Sequence, residues 1–231
     1  MKQKIKKANF KEERFKIREG RFQVAAATSS DTKDESGDSM LTCNLPDGRL
    51  AIILSDGMGK GLKAQAESQA VVKLLRKLLK NGVQPSRAIK IVNKRLVGVE
   101  ESFATVDLTI IDKCIGTASL YKMGATTSFL VRDKKVKKIE QAALPVGMIK
   151  SVKASQLKVN LSQEDILVIV SDGITEADKK DLEARWLEEY LIESSNIIGP
   201  KIMANEIADI AQSKYTNGER DDISVIVIQI K

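Results

Sequence analysis

Histidine is absent from this chain, and cysteine occurs only at Cys43 and Cys114. The first absence excludes histidine-based triads, His-ligated zinc and imidazole acid–base chemistry. The two cysteines have neither metal nor redox spacing, which suits a reducing cytoplasm. Aromatics are 4% of the 231 residues, too few for the stacking platforms that bind single-stranded nucleic acid. No apolar run approaches the roughly 20 residues of a membrane span, and no apolar signal segment follows the lysine-rich start. The segment therefore reads as soluble and cytoplasmic, with any membrane anchor of a parent protein lying outside it. Whatever chemistry it performs must come from carboxylates, hydroxyls, lysines or cations held by oxygen.

What is present is close to ordinary globular usage, 42% apolar and 30% charged. The net charge of +7 is unevenly placed: residues 1–21 hold nine basic and three acidic side chains, leaving only +1 for the rest. A solvated leader or linker over 1–21 followed by a single domain over 22–231 accounts for this, and the body is not a nucleic-acid binder. Periodicity predicts a first strand at 22–28, a polar loop to residue 39, and a strand at 50–55 buried on both faces. A helix over about 62–80 and a second opened by Pro85 follow. From 103 the period falls to two, and strands at 103–111, 117–123, 128–131 and 136–139 read as a meander. Strands at 157–161 and 166–170, helices at 182–194 and 201–213, and a last strand at 223–230 complete the chain. Short connections between strands imply mainly antiparallel sheets, so the expected class is α+β, a sandwich of two sheets with helices on its outer faces.

Carboxylates mark the strand ends. Asp56 follows an apolar strand in SDGMGKG, Asp172 follows another in SDGITEA, and Asp221 and Asp222 precede the last strand in ERDDISVIVI. Asp38, in SGDS, precedes the strand containing Leu41. Several negative charges gathered at the rim of a core repel one another and call for a cation. Hard oxygen donors without imidazole or thiolate select magnesium or manganese. Glycine after Asp56 and Asp172 permits a tight turn and a close approach to a bound ion.

The order SGDS, SDGMGKG and a long helix, then SFATVDLTIID, LPVG, SDGITEA and RDDISVIVI resembles the metal-dependent PPM-type protein serine/threonine phosphatases. It is nearest to the bacterial branch typified by stage II sporulation protein E, and the resemblance runs from about residue 22 to 230. It implies a pair of antiparallel sheets between helices and two divalent cations, Mn2+ or Mg2+. By motif, Asp56 is the bridging ligand and Gly57 offers its carbonyl; Asp172 and Asp221 complete the other ion's shell. Asp38 holds the second ion directly or through water, while Asp222 and Lys60 stand outside the ligand set. The implied reaction is attack of a metal-bridging hydroxide on phosphoserine or phosphothreonine of a protein.

Two departures from the wider family stand out. Met58-Gly59-Lys60 replaces a stretch where many relatives carry histidine, and residues 22–48 contain no arginine to grip phosphate. Substrate affinity should then depend on protein–protein contact. The resemblance implies a phosphorylated anti-anti-sigma factor as substrate, in sporulation or stress signalling. A catalytically silent pseudophosphatase acting as a binding module is the alternative, and a homodimer is compatible with the sequence.

Three other features read as structural. Thr105 is a strand residue, Trp186 packs in a late helix, and Asp107 in DLT resembles an aspartyl-phosphate loop but lacks its second aspartate.

Overall fold

The computed structural model describes residues 17–19, 22–30, 36–99, 102–181, 183–195, 197–215 and 220–231. Most of the basic leader and part of the loop before Asp38 lie outside that set. Two sheets face each other. One has the order β1(Ile17–Glu19), β2(Phe22–Ser29), β11(Ile223–Ile230), β10(Ile166–Val170), β7(Ser128–Arg132), β8(Lys135–Ile139). The other has the order β3(Asp38–Asn44), β4(Leu50–Asp56), β5(Val106–Asp112), β6(Thr117–Met123), β9(Leu157–Asn160). Every strand pairing is antiparallel. Helices α1(Leu62–Lys80) and α2(Pro85–Leu96) cover the second sheet. The short α3(Asp172–Thr175) with α4(Arg185–Ser194) and α5(Pro200–Lys214) covers the first. The expected helix-flanked sandwich is what forms.

Burial explains the patterning. Leu50, Ile52 and Leu54 of β4 point between the sheets against Leu167, Ile169, Ile226 and Ile228, whereas Ala51 and Ile53 point at α1. A strand apolar on both faces belongs in a sheet covered on both faces. The outer strand β8 carries Lys135, Lys137 and Lys138, charges that discourage further strands from adding to that edge.

Several boundaries differ from the sequence expectation. The run 117–139 is not one meander: β5–β6 and β7–β8 are hairpins in different sheets, joined by a crossing at residues 124–127. Gly124 makes the crossing with φ 64, and a Cβ there would lie 2.5 Å from the Pro145 ring. The strand expected from 103 begins at Val106, because Ala104 bridges both Gly57 and Val146 instead. Helix α4 starts at Arg185, where Ala184 is left-handed (φ 52) and the Asp181 carboxylate accepts from the Trp186 amide. Strand β1 pairs with β2 inside the stretch read as leader. Cys43 is buried in β3, and Cys114 is exposed in the β5–β6 turn.

Candidate metal-dependent active site

Antiparallel pairing brings the acidic strand ends to one mouth of the sandwich. Asp38 opens β3 directly opposite Asp56, the last residue of β4. In the facing sheet Val170 pairs with Val225, so Asp172, just past β10, and Asp221 and Asp222, just before β11, meet at the same end. All five carboxylates named from the sequence therefore converge, two from one sheet and three from the other.

The local chain is tightly specified around Asp56. Its amide donates to Thr105 Oγ1 (2.9 Å), its carbonyl accepts from the Thr105 amide (2.8 Å), and Ser55 Oγ donates to the Thr105 carbonyl (2.6 Å). Gly57 lies against the first turn of α1, where a Cβ would sit 2.0 Å from the Ala64 carbonyl oxygen. Its amide donates to the Gly37 carbonyl (3.1 Å), and the Gly37 amide donates to Asp222 Oδ2 (2.5 Å). Asp222 is thus a strap between the two sheets. Gly173 packs on the Asp222 backbone, where a Cβ would come within 2.2 Å of the Asp222 carbonyl oxygen, and its own carbonyl accepts from Tyr215 (2.8 Å). Lys60 Nζ donates to the Arg220 carbonyl (2.9 Å), tying the loop after β4 to the segment before β11.

Electrostatically the cluster is under tension. Burial first, then the charges of Asp56 and Asp172, hold the Asp38 carboxyl well above the usual carboxylate range. The Ser224 and Ser171 hydroxyls face it and offset part of that rise, yet neither buried Asp38 oxygen completes a hydrogen bond of good geometry. Burial and then Asp172, Asp221 and Asp222 push Asp56 up to about 8. Asp172 is pushed to about 6 by burial, with Asp221 and Glu176 adding to it. Among the described residues no three such side chains are already drawn together as a closed ligand shell. The donor set nonetheless fits hard divalent cations: all-oxygen donors, one buried carboxylate with both oxygens unpartnered, and like charges that a cation would relieve in place of protons.

Two features beneath the cluster escaped the sequence reading. Thr105 braces Asp56 rather than merely filling a strand. Asp107 and Lys122, register partners on β5 and β6, form a fully buried ion pair. Lys122 also donates to the Thr126 carbonyl (2.6 Å), and Ser128 Oγ donates to the same Asp107 oxygen (3.2 Å). One Asp107 oxygen is therefore engaged by Lys122 and Ser128, and the side chain is buried beneath the cluster as half of an ion pair. Asp56, Thr105, Asp107, Thr126, Ser171 and Asp172 line a cavity of about 20 Å3 between the sheets. Residue parity on paired β4 and β5 would have found Thr105 and Asp107, since both share the face of Asp56.

Two helix-backed antiparallel sheets with carboxylates from both converging at one mouth define a PP2C-type phosphatase domain. The sequence pattern of the family described as stage II sporulation protein E (SpoIIE) matches residues 46–231, and the chain belongs to that family. The stage II sporulation protein E of Priestia megaterium is 33% identical over 205 residues, 85% of this chain but 34% of that protein, so the chain spans about a third of that relative's length. A solved structure of the PP2C phosphatase domain and a regulatory-domain fragment of SpoIIE from Bacillus subtilis superposes with a TM-score of 0.82 at 30% identity. It covers 91% of this chain and 63% of that one. The B. subtilis phosphatase domain alone, in a crystal form without domain swapping, aligns over 91% and 92% at 29% identity with a TM-score of 0.68.

Proposed function

We propose that this chain hydrolyses phosphoserine or phosphothreonine on a protein, with Asp38, Asp56, Asp172 and Asp221 as carboxylate ligands of two divalent cations and the Gly57 carbonyl as a further ligand. The observation that carries the reading is Asp38: both carboxylate oxygens are buried and unpartnered opposite Asp56. Burial keeps that group protonated unless a counter-charge is supplied, and in its ionised form it is a donor for a cation. Bound there, Mn2+ or Mg2+ supplies the Lewis acidity that activates water and stabilises charge on the phosphoryl group.

The protein's own part is positional. Thr105 fixes the Asp56 backbone through two hydrogen bonds, and Asp222 fixes Gly37 beside it. Lys60 is engaged by the Arg220 carbonyl and closes the rim, so its role is to hold two loops together. Without histidine there is no imidazole to protonate the leaving serine, and that proton comes from water. The family membership supports a phosphorylated anti-anti-sigma protein, met in the cytoplasm, as the physiological substrate. No helix among the described residues is long and apolar enough to cross a membrane.

Phosphate release from a phosphoserine peptide and from a phosphorylated anti-anti-sigma protein, titrated with manganese, tests this reading. Asp172→Asn and Asp221→Asn should each abolish metal-dependent release, and the protein should outcompete the peptide. A folded wild type that releases no phosphate from either substrate would overturn it in favour of a binding module.

A further inference from the structure

The pairing of β4 with β5 keeps its register beyond the last regular strand residues. Leu54 lies opposite Asp107, and Gly57 opposite Ala104, with Met58 donating to the Phe103 carbonyl (3.2 Å). Side chains alternate along a strand, so Leu54, Asp56 and Met58 share one face, and Asp107, Thr105 and Phe103 share it with them. That face turns toward the opposing sheet: Leu54 packs in the core between the sheets, whereas Ala104 packs toward α1. Moving outward, the rows read Leu54 with Asp107, then Asp56 with Thr105, then Met58 with Phe103 at the mouth. Met58 is 51% exposed and Phe103 partly so, although both belong to types that prefer burial. Beside them runs the segment through Gly147, where a Cβ would lie 3.3 Å from Phe103 Cα; it carries Met148, also exposed.

We infer that Met58 and Phe103 form an apolar lip that receives an apolar side chain of the phosphoprotein substrate, two residues from its phosphoserine or phosphothreonine. This inference rests on the phosphatase reading above. The spacing supports it: the step from Asp56 to Met58 is about 7 Å, the same as two residues of an extended peptide. A phosphoserine placed over the carboxylate cluster thus sets a residue two positions away over the lip. The chemistry supports it as well. The stretch over residues 22–48, from β2 through β3, carries no arginine to grip phosphate, so affinity has to come from flanking contacts. Methionine is suited to the task because its flexible, polarisable side chain adapts to differently shaped apolar partners.

Phosphoserine peptides that carry leucine or aspartate two positions before or after the phosphoserine test the lip, with p-nitrophenyl phosphate as a substrate that has no flanking residue. In manganese-loaded wild type, kcat/KM should favour leucine over aspartate about tenfold on at least one side. Met58→Ser and Phe103→Ser should erase that preference, chiefly through KM. Ile115→Ser, on the distant β5–β6 turn, should keep it. Equal turnover of leucine and aspartate peptides by wild type overturns the lip, whatever the variants do. So does a preference that survives in both lip variants, or one already lost in Ile115→Ser. Wild type inert toward p-nitrophenyl phosphate and all peptides would sink the phosphatase reading itself, a result distinct from turnover without preference.

Discussion

Asp56 illustrates how function opposes stability at a single residue. Its carboxylate is half-buried at a strand end among Asp172, Asp221 and Asp222, and its affinity for a proton is raised accordingly. Asp56→Asn removes the charge while keeping the shape, so the metal-free protein should become more stable. A gain of about 1 kcal/mol corresponds to roughly 2–4 °C in a domain of this size. Thermal melts in EDTA should show that rise, and the same variant should no longer gain stability from manganese. A lower melting temperature in EDTA would mean that the cluster is not repulsive. The Asp107–Lys122 pair makes the opposite case. Lys122→Met leaves Asp107 charged and buried, at a cost of about 3–5 kcal/mol, whereas pairing it with Asp107→Leu should recover most of the loss. Urea denaturation of the single and double variants separates the pair's own contribution from the penalty of orphaning one partner.

Elements carry these residues, and here the sequence was legible to different depths. Helix α1 runs over Leu62–Lys80 as its apolar spacing and the Asn81-Gly82 stop indicated, because a long amphipathic helix is fixed by local pattern. The five carboxylates were legible for a related reason: each sits at the border of an apolar run. The change of sheet between β6 and β7 was not legible. The strands on either side alternate alike, and only the left-handed Gly124 against Pro145 directs the chain across. Nor was the loop at 144–150, which α2 holds from behind. Asn93, buried on α2, donates to the Ile149 carbonyl (2.9 Å) and accepts from the Gly147 amide (2.9 Å). Asn93→Ala should cost about 1–3 kcal/mol by stranding those groups. Hydrogen exchange should rise at Gly147 and its neighbours while β10 and β11 stay protected, and uniform deprotection would show that the loop is not a separate unit.

At the scale of the molecule the two sheets pack through an apolar interior and are linked at one mouth by a few polar straps. These include Asp222 to Gly37, Ser128 to Asp107 beneath the cluster, and Lys60 to Arg220, which closes the rim between the loop after β4 and the segment before β11. Cations held by Asp38 and Asp56 from one sheet and Asp172 and Asp221 from the other would join the sheets far more strongly. Metal binding should therefore stabilise the whole cooperative unit. At a free manganese concentration a hundred times its Kd, linkage gives about 2.7 kcal/mol, with no affinity for the unfolded chain. In this size class that is a rise of roughly 5–10 °C. Calorimetry across a manganese series should show one transition moving upward, and Asp38→Ala or Asp172→Ala, which would remove the proposed ligands from different sheets, should each blunt the shift. Two separating transitions, or a shift sensitive to only one of those substitutions, would mean that the ions belong to one sheet and do not bridge the sandwich.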